Sequence, residues 1–198
     1  IGGLKTVNVR SMGSQHVGVF YDGLQLGNAQ NGQIDLGRFS LDNMETVSIY
    51  NGQRSTILQP AKSFSSAAAL YMTTRRPSFS PQRKTNLKTA LKVGSFTTLN
   101  PTLLYEQRLS PQLDLSVSGE YLYTSGRYPF SYRKKDGYDT TAVRHNGDVH
   151  SLRFESGLFG RLDEGEWRAK AYLYRSERGY PGAFVREEPG KFKHEDRQ

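Results

Sequence analysis

Leu113-Asp114-Leu115-Ser116-Val117-Ser118-Gly119-Glu120-Tyr121-Leu122-Tyr123 is the stretch that decides the fold. Leu113, Leu115, Val117, Tyr121 and Tyr123 alternate with Asp114, Ser116, Ser118 and Glu120. Successive side chains of a strand point to opposite faces, so a period of two separates an apolar face from a polar one. The period recurs on either side. Upstream, Leu87, Thr89, Leu91 and Val93 oppose Lys88, Ala90, Lys92 and Gly94; Leu103, Tyr105 and Leu109 oppose Thr102, Glu106 and Arg108, with Leu104 and Gln107 out of pattern. Downstream, Leu152, Phe154, Leu158 and Leu162 oppose Ser151, Arg153, Glu155 and Arg161. Trp167, Ala169, Ala171 and Leu173 oppose Arg168, Lys170, Tyr172 and Tyr174. These are five candidate strands of about ten residues, the length a tilted membrane strand needs.

The connections alternate as well. Ser110-Pro111-Gln112 and Asp163-Glu164-Gly165 are tight turns, whereas Ser125 to Asp148 and Ser176 to Gln198 read as long, polar, aromatic loops. Tight turns on one rim and long loops on the other are the pattern of an outer-membrane barrel. Tyr121, Tyr123, Phe159 and Trp167, near strand ends, fit an interfacial girdle. Soluble antiparallel sandwiches alternate too, with one face in a core, so alternation alone leaves both readings open. Five strands are too few to close a barrel, and open edges are not tolerated in hydrocarbon. The expectation is therefore a fragment of a larger protein.

The remaining composition excludes more than it selects. Ala67 to Met72 is the longest apolar run, far short of the roughly 18 residues of a membrane helix. Absence of cysteine excludes disulfides and Cys-based metal sites. The net charge of +8 admits acidic partners. Nucleic acid is disfavoured, because the basic residues are spread over both halves with no stripe or known motif. The four histidines, His16, His145, His150 and His194, include no pair at strand spacing for a metal, and no nucleophile elbow, phosphate loop or HExxH occurs. Glu187-Glu188 are adjacent in a loop, which is no geometry for acid–base work. The expectation is no enzyme, no metal and no cofactor.

Pro77-Ser78-Phe79-Ser80-Pro81 follows Arg75-Arg76 and reads as a connector. The expected division is 1–76, 77–84 and 85–198. Before the connector the strands are short and irregular. Thr6 to Met12 is one; Val17 to Tyr21 is another, and Asp22-Gly23 before Leu24-Gln25-Leu26 is a hairpin signal. A polar stretch, Gly27 to Gln33, comes next, then a helical turn near Asp35 to Phe39 and strands over Met44 to Tyr50 and Leu70 to Thr74. This reads as a small mixed α/β domain with long polar loops.

Val7 to Gly52 resembles the plug domain of TonB-dependent outer-membrane receptors. The resemblance is carried by Val9-Arg10, Gly13, Phe20-Tyr21-Asp22-Gly23, Leu26, Gly32, Asp35-Leu36, Asp42-Asn43-Met44-Glu45-Thr46-Val47, Gly52 and the exit Ala67 to Thr74. Departures from the family pattern are Ser11 after Arg10, Gln53 for the proline after Gly52, Leu58-Gln59 for Tyr-Gly, and Ala68-Ala69 for the exit glycines. Gln59 to Ala67 and Arg178-Gly179-Tyr180-Pro181-Gly182-Ala183 are similar to a branch resembling vitamin B12 (cobalamin) receptors.

The resemblance implies a mainly β chain: a fragment of a 22-stranded transmembrane β-barrel with part of its plug, the other 17 strands (22 − 5) following Gln198. It implies the outer membrane of a Gram-negative bacterium, and energised uptake of a scarce nutrient, cobalamin being one possibility and a siderophore or haem another. A soluble β-rich carbohydrate-binding or adhesion module is the alternative class. Implied partners are TonB, through a segment upstream of Ile1, the transported small molecule, outer-membrane lipid and a surface substrate-binding lipoprotein. Matching the family's plug apices, Leu26, Asn28, Gln30, Asn31 and Gln33 would form one ligand-contacting loop, and Arg54, Ile57 and Leu58 a second. The long-loop aromatics Tyr128, Tyr138 and Tyr180 would add contacts, because exposed loop aromatics often serve recognition.

Overall fold

The computed structural model describes residues 4–27, 32–51, 66, 68–133, 137–181 and 193–197. The chain forms two compact units that part between Ser78 and Phe79, inside the proline-rich connector.

The N-terminal unit is a four-stranded sheet built from β1 (Val17–Tyr21), β2 (Leu24–Leu26), β3 (Met44–Tyr50) and β4 (Ala68–Thr74), in the order β2-β1-β4-β3. The central pair, β1 and β4, is parallel; the outer pairs are antiparallel. A parallel pair covered on both faces reads as a continuous apolar run, which is what Val17 to Phe20 and Ala68 to Met72 are, and all of them are buried. Val17, Val19, Leu70 and Met72 make one core, against which Val7, Val9, Leu26, Ile34, Leu36 and Phe39 pack. Phe20, Ala69 and Tyr71 make the other, with Phe20 stacked on Tyr71 at 4.7 Å.

Asp22 secures this sheet. It and Gly23 take positive φ, 48° and 85°, the two-residue turn that the right-handed twist of a hairpin favours. Its carboxylate then accepts from the Thr74 amide at 2.9 Å and the Thr74 hydroxyl at 2.8 Å, closing β1 against β4. Asp35 does similar work by capping the three-residue 3-10 turn Leu36–Arg38: Oδ1 accepts from Gly37 N at 2.8 Å and Lys5 N at 3.1 Å.

Two expectations for this unit are corrected. Thr6 to Met12 is not a strand, because Arg10 and Ser11 turn the chain at φ 51° and 58° while Val7 and Val9 reach the core from irregular backbone. The unit is also not mixed α/β among the described residues. Its helical elements there are two 3-10 turns, Ser14–His16 and Leu36–Arg38, each too short to bury a helical stripe.

The C-terminal unit is a six-stranded antiparallel sheet of β5 (Thr85–Gly94), β6 (Thr98–Ser110), β7 (Leu113–Thr124), β10 (Val149–Leu162), β11 (Gly165–Pro181) and β12 (Lys193–Arg197). Each strand pairs with the one before it in the sheet, and the β7–β10 connection holds a separate hairpin of β8 (Tyr128–Arg133) and β9 (Asp139–Arg144). Two supposed loops are thereby corrected. Ser125 to Asp148 is largely a folded hairpin. β11 runs on to Pro181, and the charged tail supplies β12, paired through Glu177↔Arg197 to Pro181↔Lys193. Charge on an edge strand does not oppose pairing; it discourages pairing with foreign chains.

Register keeps the two faces of this sheet separate. Leu103 sits opposite Thr89 and Gly119, Tyr105 opposite Leu87 and Val117, and Leu115 opposite Gln107 and Leu158. On the other face Glu106 lies opposite Asn86 and Ser116, and Glu120 opposite Thr102 and Arg153. Pro101 is accommodated inside β6 by its neighbour. It has no N–H to give β7, and the Asn100 side chain donates instead to Tyr121 O at 2.8 Å and Glu120 Oε1 at 3.0 Å.

Burial on this sheet is inverted relative to a water-soluble one. The apolar face is the open one: Leu87 is 68% exposed, Leu91 63%, Leu103 45%, Phe154 43% and Leu173 59%. The buried residues include Glu106, Asp114, Ser116, Thr124, Ser151, Arg153, Ser176 and Arg178 on the polar face. Phe159 is a further correction: it is buried on that polar face beneath the Arg168 guanidinium, 5.2 Å from its ring, and does not belong to an outer girdle. Trp167 and Tyr121 do lie on the apolar face and are exposed.

Candidate functional site

The polar face is a lattice of charge pairs running across strands. Asp114, buried on β7, accepts from Arg108 of β6 and Arg161 of β10, both at 3.3 Å. Glu120 of β7 meets Arg153 of β10 at 2.7 Å and Asn100 of β6 at 3.0 Å. Glu155 of β10 meets Lys170 of β11 at 2.9 Å, and Glu106 accepts from Asn86 at 3.0 Å. Arg178 donates to Ser176 Oγ at 3.0 Å and to the Tyr174 hydroxyl at 2.8 Å. Buried charge is tolerable only when paired in this way. Two buried oxygens on this face, Glu120 Oε2 and Ser151 Oγ, have no hydrogen-bond partner among the described residues. Lys88, Lys92, Glu106, Arg108, Glu120, Arg153, Glu155, Arg168 and Lys170 all share this face, as the alternation predicts.

The long connections gather at the opposite end of the sheet from the tight turns after Ser110 and Leu162. There the β8–β9 hairpin is tied down at its base. Gly126 and Gly147 approach so closely that a side chain on Gly126 would meet the Gly147 carbonyl. Arg144 Nη2 donates to Pro181 O at 3.4 Å, and Asn146 Nδ2 to Tyr180 O at 2.8 Å. Phe96, in the β5–β6 turn, accepts on its carbonyl from Ser125 N, Ser125 Oγ and Thr124 Oγ1 at 2.7–3.1 Å.

Of the residues expected to touch ligand, the structure brings Tyr128 and Tyr180 to this rim. Tyr128 packs edge-on against Phe96 at 5.8 Å and begins an aromatic series with Phe130 and Tyr132. Tyr138, in the β8–β9 turn, is 75% exposed. Leu26 and Gln33 belong to the N-terminal unit, where Leu26 packs on the core. Asn28, Gln30, Asn31, Arg54, Ile57 and Leu58 lie outside the described residues.

Sequence reasoning missed a cavity of about 690 Å³ on this rim, lined by Thr97, Tyr123, Ser125, Arg127, His145, Asn146, Asp148 and His150. His145 and His150, which make no metal pair at strand spacing, both line it. Asn146-Gly147 between them was the available signal, since such a pair turns the chain and lets both flanks face one hollow. Asn146 does take positive φ, 62°. No group of three metal-ligating side chains occurs among the described residues.

Residues 1–63 match the TonB-dependent Receptor Plug Domain. The match covers the N-terminal segment, which is a plug domain of the kind found in TonB-dependent receptors of the Gram-negative outer membrane. No curated protein matches the chain. The matched residues include β1, the Asp22-Gly23 turn, β2 and β3, while β4 follows them.

Proposed function

We propose that the chain is the plug and the first wall strands of a 22-stranded outer-membrane barrel that takes up a scarce nutrient at the expense of energy delivered through TonB. One observation carries this reading: after a plug-type segment comes a sheet whose apolar face is open and whose polar, charge-paired face is buried. Water would reject such a sheet, because it leaves large aliphatic side chains on one open face. A bilayer accepts it, since lipid-facing and lumen-facing residues alternate along every barrel strand. Charge pairs supported by water suit a face that another element must slide along, because water replaces them at little cost.

The cargo we propose is a corrinoid such as cobalamin, supported by the resemblance of Gln59 to Ala67 and Arg178 to Ala183 to that branch. The plug apices around Leu26 to Gln33 and Arg54 to Leu58, with Tyr128, Tyr138 and Tyr180 from the rim, would hold it, and a surface lipoprotein would assist capture. Deleting the receptor gene in a cobalamin-requiring strain should abolish growth on traces of the vitamin, and restoration should need both the gene and TonB. Growth that is lost on traces of an iron chelate or haem instead would replace the corrinoid with those cargoes. Growth lost on none of them would overturn the uptake reading.

A further inference from the structure

We propose that the rim cavity is a seat for the sugar headgroup of an outer-leaflet glycolipid, an inference that rests on the membrane-wall reading above. The first argument is position. Tyr123 and His150 share the face of Leu99, Tyr121 and Leu152, so the cavity reaches the apolar face of the sheet. It sits where that face gives way to the long connections, above Leu99 (40% exposed) and Leu152 (46% exposed). A polar hollow directly beyond an open aliphatic surface fits an amphiphile, with its head in the cavity and its chains along the strands. A free solute would need no such surface.

The second argument is chemistry. Sugar hydroxyls donate and accept, so a site for them mixes both kinds of partner. Asp148 supplies an acceptor and the exposed Arg127 a donor. One cation and one anion leave the lining without the charge excess that a phosphate would select. His150 and Tyr123 offer ring faces, their centroids 4.9 Å apart, and the Tyr121 hydroxyl lies 3.2 Å from His150 Nδ1. Aromatic bodies with polar tips are suited to interfaces where one side is apolar and the other wet.

The third argument is preorganisation. Asn146 is fixed by its bond to Tyr180 O, and Asp148 by the Gly179 N–H on its carbonyl at 2.9 Å. A volume of about 690 Å³ accommodates one or two sugar rings.

The test uses the whole receptor reconstituted into phosphatidylcholine vesicles containing either lipopolysaccharide or phosphatidylglycerol, followed by detergent extraction and mass spectrometry of the retained lipid. The wild type should retain lipopolysaccharide over phosphatidylglycerol, and free core oligosaccharide should compete poorly. Arg127→Gln combined with Asp148→Asn should cut that retention about tenfold, the loss of one or two charge-assisted hydrogen bonds. The single Arg127→Gln variant, altering only an exposed side chain, should show part of the loss should the double variant fold badly. Equal retention of phosphatidylglycerol would mean charge rather than sugar is read, and full displacement by free oligosaccharide would mean a soluble sugar is the ligand; either overturns the proposal. Normal insertion with unchanged lipopolysaccharide retention in both variants overturns this site alone. A protein that enters neither vesicle overturns the site and the uptake reading together.

Discussion

The two sheets of this chain are built from similar residues and turned to opposite solvents. In the N-terminal sheet the aliphatic and aromatic side chains of β1 and β4 are buried on both faces, and Phe20 is fully enclosed. In the C-terminal sheet Leu87, Leu91, Leu103 and Leu173 are open while Glu106 and Asp114 are sealed. A single hydrophobicity rule cannot produce both. The first sheet minimises apolar contact with water. The second makes sense when the medium on one side is hydrocarbon and the polar network on the other side stays hydrated. Sequence reports this difference as period: continuous apolar runs in the first sheet, strict alternation in the second.

The largest expected effect breaks the first half of the comparison. Phe20→Ala removes a ring that is fully buried and stacked on Tyr71. It should destabilise the N-terminal unit by about 3–5 kcal/mol, seen as a lower urea midpoint for protease cleavage within residues 4–78. An unchanged midpoint would mean that Phe20 is not core.

The next effect breaks the second half. Val117 lies on the apolar face between Tyr105 and Ser156. Val117→Arg should hinder membrane assembly, since a basic residue at mid-bilayer costs about 2–4 kcal/mol. The heat-modifiable, membrane-extracted form should fall accordingly, whereas Ser118→Arg, on the opposite face, should assemble. Equal assembly of both would remove the distinction between the faces.

Alternation was legible because each long strand obeys it with few exceptions, and the exceptions have local reasons. Leu104 is buried on the polar face opposite Lys88 and Ser118, and Gln107 on the apolar face takes the Tyr105 hydroxyl at 3.0 Å. The Asp22-Gly23 hairpin was legible because its turn chemistry is local. The β8–β9 hairpin was not, since Pro129, Arg133 and the polar run Lys134-Lys135-Asp136-Gly137 read as loop in the sequence. Its strands exist because Tyr128↔Arg144 and Phe130↔Ala142 pair across a base fixed by Gly126 and Gly147. Thr6 to Met12 failed in the opposite sense: Val7 and Val9 do pack on the core, but Arg10 and Ser11 turn the chain at positive φ. The rim cavity was invisible in one dimension because its lining comes from the β5–β6 turn, β7, the start of β10 and the connection between them.

A smaller effect sharpens the account of the first sheet. Asp22→Ala removes both bonds to Thr74, whose polar atoms are then left buried. The expected loss is about 1–3 kcal/mol, measured by the same protease midpoint, and Asp22→Asn should recover part of it. The smallest effect is a control. Arg133 and Asp139 pair at 3.2 Å with both side chains about seven-tenths exposed. Arg133→Ala should change stability by about 1 kcal/mol or less; a large loss would mean that the hairpin is covered in the native protein.

The chain has no cysteine, so single-cysteine variants report position without background. Labelling in native membranes with a water-soluble maleimide, at Leu103, Leu115 and Leu173 against Lys88, Ser118 and Tyr172, tests the membrane wall most directly. The account predicts protection at the three leucine positions, relieved by detergent, and labelling at the other three once the outer face is permeabilised. Equal labelling of both sets in intact membranes would contradict it.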